Sequence, residues 1–169
     1  MSDMSHEALL KRYLQLPDRL EAAIAGLSEA DLDRKGVGWS IRQYVHHTVE
    51  GEVMWQLFLR AIVGTDGIEF PIQWYFGLSQ DEWAERWASG RRAVEPALAL
   101  FRASTRSLVE LLRNVPPEVW EHYGRVTWPG AKKESCFTVR DIVLMHIGHM
   151  DQHTVDIQAI LKDRRESKQ

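Results

Sequence analysis

The sequence predicts an all-α fold, a four-helix bundle with short extra helices and a small hairpin or loop before the last helix. Three observations carry this expectation. Four stretches repeat apolar residues at helical spacing. A serine or threonine stands where an N-cap belongs before the two longest, Ser40 and Thr138. The connections are too short to hold another domain, so residues 1–169 read as one antiparallel bundle.

The elements follow in order. Residues 5–25 place Leu9, Leu10, Tyr13, Leu14, Leu20, Ala23 and Ile24 at helical spacing, and Pro17 is positioned to kink or divide them. Ser28, with Asp31 three residues on, starts a short extra helix. Ser40 caps a long second helix over 41–63 that ends near Gly64. Residues 64–78 read as an irregular connection. Ser79 and Glu82 form a capping-box pattern that opens the next helical stretch, which Gly90 and Pro96 interrupt before residues 97–114 continue it. A short turn or helix restarts at Pro116. Residues 124–137 hold the strand-like alternation and a Pro-Gly turn, which fit a small hairpin or loop. Thr138 caps a last helix over 139–162, and the charged run from Lys162 onward frays. "WSIRQYV" at 39–45 and "FTVRDIV" at 137–143 echo one another as helix starts.

Composition narrows the function. With 44% hydrophobic and 27% charged residues, 169 residues can bury a core without a disulfide framework, and the lone Cys136 is compatible with a reducing compartment. A net charge of −3 with no basic block argues against a nucleic-acid partner. No signal peptide or spanning segment is visible, so a cytoplasmic protein without membrane attachment is expected.

The concentrated feature is "LMHIGHMDQHTVDIQAIL", residues 144–161, which holds three of the seven histidines. Measured from Ile142, His146, His149 and His153 fall at about 40°, 340° and 20° around the helix, in the middle of its apolar face. His149 and His153, one turn apart, can share one divalent cation through their imidazole nitrogens. Asp156 is placed to hold the second nitrogen of a ligating ring. A third ligand should come from another helix. Measured from Ile41, His47 lies at about 240°, beside the buried arc, and His46 at about 140°, on the side read as solvated. The spacing therefore selects His47, His149 and His153 as metal ligands, and leaves His146, one turn upstream, open as a further ligand, a support to the ligands or a packed core residue. The sequence "HMDQH" lacks the glutamate of a zincin, and no paired Glu-x-x-His motifs suggest a di-iron site.

"GWSIRQYVHHTVEGE" and "HMDQHTVDIQAI" resemble the helix-two start and the last-helix motif of the DinB/YfiT-like family. The resemblance is specific over these two segments and looser over the rest of the chain. It implies a bundle that binds Zn²⁺ or Ni²⁺ through His47, His149 and His153. Characterised relatives include S-transferases and isomerases that use a low-molecular-weight thiol, and relatives are often dimers, so a homodimer is open to this chain.

The chemistry expected first is therefore metal-dependent thiol transfer or isomerisation of a small-molecule substrate. A metal-dependent hydrolase is the alternative, and a non-enzymatic metal- or ligand-binding stress-response protein or a purely structural bundle with core histidines competes with both. His146 is placed to shuttle a proton and Glu52 to act as base, with Glu50 on the solvated side. Trp55, Trp74, Tyr75, Phe76 and Trp128 are candidates to line an apolar pocket over the metal. Cys136 has no evident neighbouring base and is not expected to be a nucleophile.

Overall fold

The computed structural model describes residues 4–166, with side chains through Lys162. The N-terminal helical stretch is divided, as Pro17 foretold. Helix α1, His6–Leu14, is capped by the Ser5 hydroxyl, and α2, Leu16–Ile24, carries Pro17 in its first turn, where a missing N–H costs nothing. The short α3, Glu29–Leu32, and the long α4, Ile41–Gly64, both start with reciprocal capping boxes, Ser28 with Asp31 and Ser40 with Gln43. Helix α6, Gln80–Arg86, repeats the device with Ser79 and Glu82. Helix α7, Glu95–Asn114, has Pro96 in its first turn. A 3-10 turn over Pro117–Glu121 follows. Helix α8, Val139–Glu166, starts at Thr138, whose hydroxyl accepts from the Asp141 N–H while the Asp141 carboxylate accepts from the Thr138 N–H.

Four bodies form the bundle: α1–α2 as one broken helix, α4, α7 and α8. Both α7 and α8 pack against α4 and against α1–α2. This places the broken helix across from α4, with Leu9, Tyr13, Leu20, Val45, Phe58, Leu108, Ile142 and Ile157 all buried between them. None of the described helices is long and apolar enough to cross a membrane.

Two stretches differ from expectation. Residues 64–78 are not irregular throughout: β1, Ile68–Glu69, and α5, Gln73–Phe76, lie within them. The expected hairpin, β2 (Tyr123–Val126) against β3 (Ser135–Thr138), gains β1 as a parallel third strand through Ile68↔Gly124 and Glu69↔Arg125. A two-residue strand is too short for periodicity to show. Its place is set by burial at long range, where Phe70 stacks on Phe58 with ring centroids 4.4 Å apart. Helix α8 also runs four residues beyond the expected end at 162. Residues 163–166 of the tail expected to fray are helical, and the remaining tail, 167–169, lies outside the described residues.

Helix α4 is buried on more than one side. The segment between α6 and α7 folds over the side that carries Arg42 and His46. The carbonyl of Arg92 accepts from Arg42 Nη1 at 3.0 Å and lies 3.2 Å from His46 Nε2. His46 is therefore buried, not solvated, and Glu50 is partly covered, paired with Arg92. A helical wheel registers the apolar arc but not a loop that supplies backbone acceptors to polar residues on the opposite face. Arg42 is held there by Glu29 at 2.6 Å and Asp33 at 2.7 Å.

Candidate metal centre

The capping box at Ser40 fixes the start of α4 and so the azimuth of His47, two turns in. The Thr138 cap does the same for α8, where His149 and His153 follow one turn apart. The structure brings these three side chains together. One ring nitrogen from each lies within 4.8 Å of the other two, and all three rings are half-buried. The ring of His47 stands 5.4 Å from that of His149 and 5.0 Å from that of His153, centroid to centroid. Trp39 packs edge-on against His47 at 4.7 Å, and Tyr44 packs against His153 at 5.4 Å.

The hydrogen bonds around the cluster decide which nitrogens are free. His153 Nδ1 lies 3.0 Å from Asp156 Oδ2, as the spacing anticipated. A carboxylate only accepts, so Nδ1 carries the proton and Nε2 keeps its lone pair. His149 turns Nδ1 toward Glu52 Oε1 at 3.7 Å, an ion-pair distance, which favours the same tautomer. The two Nε2 atoms then face each other at 2.9 Å. Two lone pairs at that distance repel, and one cation between them turns the repulsion into coordination. The donor set of three neutral imidazoles suits a divalent transition metal. Burial, and then the neighbouring His153 and His149, lower the His47 pKa to about 3. Burial and His149 lower that of His153, with Asp156 opposing. Both shifts keep His47 and His153 unprotonated and ready to ligate at neutral pH.

Gly51, one turn beyond His47 on α4, keeps the approach open. A Cβ there would sit 3.5 Å from His149 Cε1, so any longer side chain would enter the site. Beside the cluster lies a pocket of about 290 Å³ whose walls include Met54, Trp55, Tyr75, Phe76 and Met145, together with His47, His146 and His149. Of the five aromatics expected over the metal, Trp55, Tyr75 and Phe76 line this pocket. Trp74 lines an adjoining groove with Leu57 and Leu100. Trp128 stands behind Phe76, edge-on at 5.1 Å.

His146 is not part of the cluster. It is buried against Glu52, with Nδ1 2.7 Å from Oε2. Glu52 is itself 1% exposed and does not line the pocket. Burial alone would raise its pKa, but His146 and His149 outweigh that and hold it at about 2, so it is an anion at neutral pH. Two further polar residues complete this buried layer. The Tyr13 hydroxyl donates to Glu52 Oε2 at 3.4 Å and accepts from Gln56 Nε2 at 3.0 Å. Sequence reasoning missed both. Gln56 carries a faint signal, one turn after Glu52 on the same helix, whereas Tyr13 reads as an ordinary core aromatic.

Comparison with known proteins agrees with this architecture. Residues 12–157 match the DinB superfamily model. A Geobacillus thermodenitrificans (strain NG80-2) protein named "Putative metal-dependent hydrolase" is 28% identical over 152 residues, covering 88% of this chain and 79% of the relative. Among solved structures, YfiT from Bacillus subtilis, described as a probable metal-dependent hydrolase with an unusual four-helix bundle topology, superposes with a TM-score of 0.78. It is 18% identical, and the match covers 99% of this chain and 92% of YfiT. The family match spans most of the sequence, and the chain belongs to the DinB superfamily.

Proposed function

We propose that this protein is a metal-dependent hydrolase acting on small, uncharged substrates, with zinc or nickel held by His47, His149 and His153. The observation that carries the reading is the pair of facing Nε2 atoms at the edge of an apolar pocket. The names of the two relatives point the same way. Held by these three histidines, a divalent cation would supply Lewis acidity, enough to polarise a carbonyl and lower the pKa of a water or thiol toward neutrality.

The rest is done by the chain. Asp156 holds His153 in the tautomer that presents Nε2, and the Glu52 carboxylate stands 3.7 Å from His149 Nδ1. Trp39 and Tyr44 wall two of the ligand rings. Met54, Trp55, Tyr75 and Phe76 exclude water from the substrate's apolar part and leave polar contacts to the histidines and Gln80. Thiol transfer ranks second because the described residues that line the pocket include no lysine or arginine to hold the carboxylates of an acidic thiol.

The test is a panel of aryl esters and amides offered to zinc- and nickel-loaded protein, beside a His149→Ala, His153→Ala variant. Turnover in the wild type that the variant lacks is the expected result. Equal rates in both would sink the proposal. Turnover of electrophiles only when a thiol is added would replace hydrolysis with transfer.

A further inference from the structure

We infer that His146 is the proton acceptor of this pocket, prepared for that task by the same carboxylate that orients the ligand His149. The inference rests on the hydrolytic reading above. Glu52 uses its two oxygens differently: Oε2 lies 2.7 Å from His146 Nδ1, and Oε1 lies 3.7 Å from His149 Nδ1. One buried carboxylate therefore faces the Nδ1 side of two imidazoles, in contact with His146 and at a longer ion-pair distance from His149.

The hydrogen-bond inventory around His146 is tight enough to assign the proton. Tyr13 Oη stands 3.1 Å from His146 Nδ1 and 3.4 Å from Glu52 Oε2, and it accepts from Gln56. The Glu52 anion can only accept, and the hydroxyl spends its proton on that anion. The proton between Glu52 and His146 then belongs to Nδ1, and when the ring holds only that proton its Nε2 carries a lone pair. Nε2 is fully buried and has no hydrogen-bond partner. A buried polar atom left unpaired carries a desolvation cost that nothing within the protein offsets. Here the ring is 2% exposed and forms part of the wall of the pocket that His47 and His149 also line. That nitrogen has no partner within the protein, and the ring that carries it belongs to the pocket wall. His146 keeps the proton-carrying role expected of it, and Glu52, expected to act as base, becomes a positioning residue instead.

In hydrolysis the step balances as follows. As the oxygen of the attacking water bonds to the acyl carbon, the water proton passes to His146 Nε2. As the bond from the acyl carbon to the leaving group breaks, Nε2 returns that proton to the leaving group. One water is consumed, and His146 ends as it began.

Histidine ring-¹⁵N NMR of zinc-loaded protein tests this without any substrate, with the His146 signals assigned by their loss in His146→Gln. Protonated Nδ1 and bare Nε2 is the expected state. A ring protonated at Nε2, with or without a proton on Nδ1, overturns the inference. Glu52→Gln should mix the two tautomers, since an amide can donate as well as accept; an unchanged His146 signature would remove Glu52 from the role. His146→Gln should still take up one metal per chain while ester turnover falls by about 10²–10⁴-fold. Full turnover in that variant overturns the inference. Should His146→Gln fail to fold, Tyr13→Phe supplies the assignment instead, because loss of the hydroxyl shifts the resonances of the ring beside it. A wild type that binds no metal removes the hydrolytic reading, and the tautomer of the metal-free protein then judges His146 by the same criterion.

Discussion

Replacing Glu52 by glutamine should destabilise the metal-free protein by about 3 kcal/mol at pH 7. The carboxyl is buried and its pKa is held at about 2 rather than 4.5. At about 1.4 kcal/mol per pKa unit, a shift of that size favours the folded anion by about 3 kcal/mol. Glutamine fills the same space but presents no charge to His146 and His149. In a chain of this length the thermal midpoint should fall by about 6–12 °C. The sign of the pH dependence follows from the depressed pKa. Stability from Glu52 is complete above pH 4.5 and is lost as pH falls toward 2, where the unfolded chain and then the folded one become protonated. Urea denaturation of wild type and Glu52→Gln, both stripped of metal, should therefore show a gap at pH 5.5 that closes as pH falls below 4.5. Equal stability at pH 7, or a gap that persists unchanged to the lowest pH at which the protein folds, would refute the reasoning that Glu52 is the buried anion joining α4 to α8.

Other outcomes follow from the same geometry. Because the His47 pKa is lowered to about 3 against 6.5 in the unfolded chain, the unfolded state takes up its proton first; metal-free wild type should lose stability as pH falls from 6.5 toward 3, and His47→Gln should flatten that slope in urea titrations. Zinc at a thousand times its dissociation constant should add about 4 kcal/mol to wild-type stability and nothing to the His149→Ala, His153→Ala variant; calorimetry that finds equal gains in both would place the metal elsewhere. Gly124→Ala should cost about 1–3 kcal/mol in chemical denaturation, since the added Cβ overlaps the Phe58 ring and lies 2.8 Å from Ile62 Cδ1. Gly64→Ala, at the last residue of α4 with nothing within 4 Å, should be neutral or stabilising, and a cost there as large as at Gly124 would contradict the steric account.

What could be read from the sequence was what is local. The capping pairs at Ser28, Ser40, Ser79 and Thr138 fix helix starts because each is a contact between residues three apart, and all four appear in the structure. The His149–His153 pair and its Asp156 partner are legible for the same reason: they lie within two turns of one helix. His47 could be selected because α4 has a clear apolar arc. What was not legible depends on which distant segment arrives. His46 and Arg42 look solvated on a wheel and become buried because the backbone of Arg92 comes to them. Strand β1 exists because Gly124 and Arg125 offer it an edge. Glu52 could be flagged as an acid near the core, but its partners, His146 from α8 and Tyr13 from α1, are fixed only when three helices meet.

The central claim is that three imidazoles from two helices hold one metal. Its most direct test is the metal content of protein purified without a histidine tag, measured by mass spectrometry beside the His149→Ala, His153→Ala variant. About one transition-metal ion per wild-type chain, absent from the variant, is the predicted result. A wild type that carries no metal and takes up none on dialysis against Zn²⁺ or Ni²⁺ would contradict it.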